Sequence, residues 1–194
     1  MAKLQNVTRA HLGLLLANLV WAVNYPFYKV LMPHYITPVA LATFAVTVAG
    51  LLGLVSLFWG GIEKIDRNDI YKFIGAALLM GIAKKLLLMI GMQHTSPIEA
   101  SIIATLGPIL VLVFSFFFGI DRFTPMKVFG MVLGMGGALL VILSGGGAVT
   151  SGEKLMGNLF VVGAIAASSF SMVWLKELIM RYKPVTLLRW IYPV

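Results

Sequence analysis

Six stretches of about twenty mostly apolar residues follow one another along this chain of 194 residues, and they constrain the fold more than any other feature. They run over Leu12–Met32, Pro38–Trp59, Tyr71–Met92, Pro97–Ile120, Pro125–Leu143 and Leu155–Ile179, and a seventh opens near Pro184. A bilayer core about 30 Å thick is crossed by about 20 helical residues, each rising about 1.5 Å. Each stretch is therefore expected to be a membrane span. Composition agrees: 60% of residues are hydrophobic and only 11% are charged, against about 25% charged in a soluble domain. So few charges cannot cover a water-facing surface. The fold class is an all-α integral membrane protein, a multi-span helical bundle with short connections and antiparallel neighbours.

The start "MAKLQNVTRAHLGLLLANLVWAVNY" has a basic head and an apolar run, as a signal peptide does. It shows no small-residue cleavage site and further spans follow, so it is read as a retained first span. There is no cysteine, which excludes disulfides and thiolate metal sites. His11, His34 and His94 are scattered without metal-ligand spacing, and no P-loop occurs. No cofactor and no metal are expected.

The net charge of +8 suggests nucleic acid until its positions are read. Lys3, Arg9, Lys64, Arg67, Lys72, Arg122, Lys127, Arg181 and Lys183 all fall at span ends on one side of the membrane. The opposite side has Lys154, and Lys29 near the end of its span. The positive-inside rule then places the N-terminus in the cytoplasm of a multi-pass plasma (inner) membrane protein. The charge is a topology signal, and no nucleic-acid partner is expected.

"FYKVLMPHYITPVAL" (Phe27–Leu41) and "WLKELIMRYKPVTL" (Trp174–Leu187) match at Lys29 and Lys176 and at Tyr35 and Tyr182, each pair 147 positions apart. After a one-residue gap, Pro38, Val39 and Leu41 match Pro184, Val185 and Leu187. Five spans separate the copies. An odd number means that the second copy enters the membrane upside down, which is the signature of an inverted-topology repeat. Residues 1–146 are read as a first five-span unit and 147–194 as the start of a second, with the "SGGGAVTSGE" stretch (Ser144–Glu153) as a flexible linker. Two such units give a parent of about 290 residues. The chain is then about six spans plus the start of a seventh, and residues 1–194 alone are expected not to transport. The alternative is a complete six-span protein with a C-terminal stub.

Three stretches resemble the EamA-type branch of the drug/metabolite transporter superfamily. They are "ANLVWAVNYPFYKV" in span one, "GMQHTSPIEASIIATLGPILVLVFSFFFGIDRFTPMKVFGMVLGMGGALLVI" across spans three to five, and "YKPVTLLRW" opening the second repeat. The resemblance covers essentially the whole chain. It implies ten spans in two inverted repeats and movement of small metabolites by alternating access. The chain departs from the family at Asp121-Arg122, where Glu-Arg is usual, and at Lys84-Lys85, where neutral polar residues such as Asn-Gln are usual.

Lys84 and Lys85 lead the candidate site residues, because one lysine at the centre of a span costs about 2.5–3.5 kcal/mol on insertion scales. Two are too costly to face lipid. Helical side chains lean toward the helix start, so both are expected to pass over the gap at Gly81, away from Glu99. A cationic patch in a water-filled cavity follows. The alternatives are one snorkelling lysine, or pairing with acids outside this chain. Pro108 is expected to remove a backbone bond to Ala104 and kink span four, with Thr105 near the freed carbonyls; a ligand site and a packing kink stay equally open. Asn24 is the best placed neutral polar contact, and Trp21, Tyr25 and Trp174 are candidate walls. Ser168, with Ser169, Ser171, Thr43 and Thr47, is a candidate contact or helix–helix glue. Lys29 and Lys176 are expected to snorkel at helix ends rather than form a gate. Gly130, Gly134 and Gly137 make a close-packing face whose partner is the matching span of the second repeat or, in a homodimer, a second protomer.

The expected function is a secondary transporter, an exporter of a small anionic or zwitterionic metabolite such as an amino acid. Its partners are the lipid bilayer and that small molecule. Protons as coupling ions and uncoupled exchange both stay open. The alternatives are a non-transporting structural or channel-like subunit, and an intramembrane enzyme built on His94 and Glu99. The enzyme is not expected, because two such residues beside a loop are more often solvated.

Overall fold

A computed structural model describes residues 2–32, 34–59, 63–122, 124–144 and 152–191, and all regular structure among them is helical. Helix α1 covers Ala2–Leu31 and α2 covers Pro38–Val55, followed by a 3-10 turn over Ser56–Trp59. Span three is one rod, Arg67–His94, made of a 3-10 turn, α3 (Ile70–Ala76), a π-helical segment (Ala77–Ala83) and α4 (Lys84–His94). Span four is broken into α5 (Pro97–Ala104) and α6 (Gly107–Phe117). Then come α7 (Pro125–Ser144), α8 (Gly152–Trp174), α9 (Lys176–Arg181) and α10 (Pro184–Ile191). Five helical stretches are long and apolar enough to cross a membrane: Thr8–Leu31, Pro38–Val55, Arg67–His94, Pro97–Phe117 and Gly152–Trp174. The fifth expected span forms the 20-residue helix α7. The linker residues 145–151 lie outside the described residues.

Local chemistry explains the helix starts. Thr37 accepts from the Ala40 amide and Ser96 from the Glu99 amide, with Pro38 and Pro97 in the first turns, where a missing N–H costs nothing. Pro108 opens α6 instead of kinking a continuous helix. Around it, Thr105 and Leu106 turn back on Ile102 and Ile103, and the Thr105 hydroxyl donates to the Ile102 carbonyl at 2.6 Å.

The central pair is α4 and α8. Gly75 in α3 meets Trp174 at the end of α8, and Gly91 near the end of α4 meets Gly157 near the start of α8, so spans three and six run antiparallel. At the crossing, a Cβ on Gly91 would lie 2.8 Å from the Gly157 carbonyl, and one on Gly157 would lie 2.8 Å from the His94 Cβ. The two backbones touch there. The expected glycine face on α7 behaves differently: Cβ atoms on Gly130 and Gly137 would meet nothing, and only Gly134 is approached, by Ile109.

Two apolar clusters fill the interior. The larger joins Tyr25 and Met32 of the α1 region, Leu41 of α2, Met89 and Met92 of α4, Ile103 of α5 and Val161 of α8. The smaller joins Phe73, Leu175, Leu178 and Tyr182. Half of the α8 span is buried, against 6% of α1, so the helix that opens the expected second unit runs through the centre of the bundle.

Candidate functional site

The π-helical segment leads directly into Lys84 and Lys85. Such segments are rare and cluster at functional sites. Both lysines line a cavity of ≈ 260 Å³ between α1, α2 and span three, with Trp21, Asn24, Tyr25, Tyr28 and Gly81. The Lys84 ammonium lies over the Trp21 ring, 5.3 Å from its centroid. Lys85 lies 5.0 Å from the Tyr28 ring centroid and donates to the Tyr28 hydroxyl at 2.9 Å. The Asn24 amide is half-buried and forms no hydrogen bond among the described residues.

The lysine heads reach aromatic rings seven residues apart on α1. Gly81 lines the same cavity, and the Ile191 carbonyl at the end of α10 lies 3.5 Å from where its Cβ would be.

Of the other candidates, Thr105, Pro108, Ser168 and Trp174 do not line this cavity. Ser168 donates to the Ile165 carbonyl of its own helix, as Thr43 and Ser171 do to Val39 and Ala167. Ser169 bridges helices, donating to the Gly107 carbonyl at the break in span four. Trp174 covers Gly75 and borders a wider cleft of ≈ 580 Å³ with Lys72, Lys176 and Glu177. The Lys29 ammonium reaches the Gln93 and Thr95 carbonyls at 3.2 and 3.0 Å, at the C-terminal end of α4, where the helix dipole favours a cation. Lys176, matched to it in sequence, is exposed.

Sequence reasoning also missed a buried polar cluster. Glu99 was expected to be solvated, yet it is 2% exposed and pairs with Lys154 at 2.6 Å. Asn158 donates to it at 3.0 Å, and Thr95 contacts both. The three partners come from the hairpin turn and from α8, so only the tertiary fold assembles them. Lys29 joins the same end through Thr95.

The opposite end holds a second network. Arg181 and Tyr182 donate to Asp69 at 2.7 and 2.9 Å, and Lys72 pairs with Glu177 at 2.7 Å. Glu63 accepts from the Lys183 amide and the Thr186 hydroxyl, at 3.2 and 2.6 Å, and so caps the start of α10. The Thr186 hydroxyl, then the Lys183 amide, hold the Glu63 carboxyl below its ordinary range. A depressed carboxyl stabilises above its unfolded pKa, and that contribution is lost as pH falls through the folded one. Thermal stability is expected to drop below about pH 4, and Glu63→Gln, which keeps an acceptor but cannot titrate, is expected to flatten part of the drop. Identical pH profiles for the two proteins would refute this role.

Residues 8–143 match the EamA-like transporter family. The chain belongs to that family. It is 25% identical over 154 residues to an uncharacterized transporter of Archaeoglobus fulgidus, covering 79% of this chain and 53% of the relative. It is 27% identical over 177 residues to the uncharacterized transporter YvbV of Bacillus subtilis, covering 90% of this chain and 56% of the relative. The chain thus spans about half the length of these curated relatives. No solved structure matches it.

Proposed function

We propose that this chain forms the first five-span unit, and the beginning of an inverted second unit, of a secondary transporter. It exports a small anionic or zwitterionic metabolite by alternating access across the plasma membrane, with its N-terminus in the cytoplasm. The observation that carries the reading is the cavity that holds Lys84 and Lys85 together with Trp21, Asn24 and Tyr25. Uncompensated charge within a span marks a substrate path by default, because burial in lipid is too costly otherwise. The orientation is supported by the lysines of the expected outer end: Lys29 and Lys154 are both held internally, by α4 carbonyls and by Glu99. Their charge is thus taken up within the protein on that side.

The test is transport in proteoliposomes by the protein expressed from its complete reading frame. Lys84→Asn and Lys85→Gln are expected to lose transport of anionic or zwitterionic substrates at least about tenfold, the scale of one lost charged contact. Unchanged kinetics in both variants would reject the reading.

A further inference from the structure

The acidic residues of the chain bear on what this cavity accepts. There are seven, and none lines it. Glu63 caps α10, Asp66 accepts from the Asn68 amide, and Asp69 is held by Arg181 and Tyr182. Glu99 pairs with Lys154, Asp121 with Lys127 and Glu177 with Lys72. Glu153 lies in the first turn of α8, beside Lys154. Within this chain the cavity therefore presents two ammonium groups and no carboxylate.

The rings that the two ammonium groups face are also spread apart. Lys84 is drawn to Trp21 and Lys85 to Tyr28, and seven residues of helix separate those rings by about 10 Å of rise. Both contacts leave ammonium hydrogens for a ligand: Lys84 has only a ring face, and Lys85 one hydroxyl. Between them stands Asn24, whose amide forms no bond among the described residues. The volume of ≈ 260 Å³ lies below the range of about 300–1,000 Å³ typical of drug-sized ligands.

We propose that the cavity selects small aliphatic dicarboxylates, one carboxylate on Lys84 and the other on Lys85, and discriminates against zwitterions. This rests on the reading of the cavity as the substrate site. A zwitterion would satisfy one lysine and bring its own ammonium against the other.

The experiment is competition for uptake in proteoliposomes by the protein from its complete reading frame, using succinate, glutarate and adipate against butyrate and leucine. At least one dicarboxylate is expected to compete tenfold or more better than butyrate or leucine. Lys84→Gln and Lys85→Gln are each expected to weaken the dicarboxylates at least tenfold and so remove that advantage, and the charge-keeping Lys84→Arg and Lys85→Arg to retain part of it. These arginine variants also report whether altered side chains at these positions still allow folding. Leucine outcompeting every dicarboxylate, with both glutamine variants defective, would overturn the inference but leave the anion-or-zwitterion reading intact. If neither glutamine variant changes any competitor, both fail.

Discussion

Lys154→Met is expected to lower the unfolding free energy by about 3 kcal/mol, the lower end of the range for breaking a buried ion pair. Glu99 has only 3% of its side chain exposed, and Lys154, at 2.6 Å, is its one ionic partner among the described residues. Methionine would leave a carboxylate buried with only Asn158 and Thr95 to stabilise it. The lower end applies because Lys154 is 25% exposed, so water can reach part of the vacated site. Glu99→Gln should cost less, about 1 kcal/mol, because the amide is neutral and still offers Lys154 an oxygen. The double variant Glu99→Gln/Lys154→Met should therefore be more stable than Lys154→Met alone. Equilibrium unfolding in mixed micelles, arranged as a double-mutant cycle, measures the difference. A cost under about 0.5 kcal/mol for Lys154→Met, the range of an ordinary surface change, would sink the assignment.

The second large effect is expected at the α4–α8 crossing. Alanine in place of glycine inside a helix gains up to about 1 kcal/mol of propensity. At Gly91 that gain is opposed by a Cβ lying 2.7 Å from the Val161 Cγ2 and 2.8 Å from the Gly157 carbonyl. A side chain can rotate away, but a backbone carbonyl in a packed helix cannot, so the helices must part. Overpacking of this kind costs about 1–3 kcal/mol. Gly91→Ala is expected to be net destabilising by about 1–2 kcal/mol, and Gly91→Val by more. Gly130→Ala, in open space within this chain, should be neutral or mildly stabilising. The same unfolding assay compares them. If Gly91→Ala proved as benign as Gly130→Ala, the backbone contact would not be what holds the crossing.

The two effects bear on function together. The Glu99 cluster and Gly91–Gly157 lie at the same end of the bundle, where α8 meets spans three and four. The cavity with Lys84 and Lys85 lies on the other side of span three, against α1 and α2. Its walls depend on a rod that α8 holds rigid at that end. The Lys72–Glu177 pair at the opposite end is a weaker tie, since Glu177 is 73% exposed and solvent screens it.

Much of this was legible in residue order. Twenty-residue apolar runs can satisfy their backbone in lipid only as helices, so span existence follows from composition and length. Proline, threonine and serine at Thr37-Pro38 and Ser96-Pro97 mark helix starts through local bonds, which need no tertiary partner. Lys84 and Lys85 stood out because charge inside a span is costly wherever the span packs. Trp21, Asn24 and Tyr25 share one helical face with spacing of three and four, and that face proved to be the one turned to the lysines.

The remainder was decided by which helix lies against which. Gly91 and Gly157 look no different in sequence from Gly130 and Gly137. Only the crossing of spans three and six sets backbone against the first two and leaves the other two open. Glu99 and Lys154 are 55 residues apart and carry no shared local pattern, so their burial as a pair appears only when α8 enters the bundle. The rings that the lysine heads reach, Trp21 and Tyr28, likewise lie on another helix, two turns apart. By itself, then, the sequence determined the solvent, the helices and the costly charges, since each depends on a residue's neighbours along the chain and on lipid. The tertiary structure alone decided the crossing, the buried ion pair and the composition of the cavity, because these depend on contacts between residues far apart in sequence.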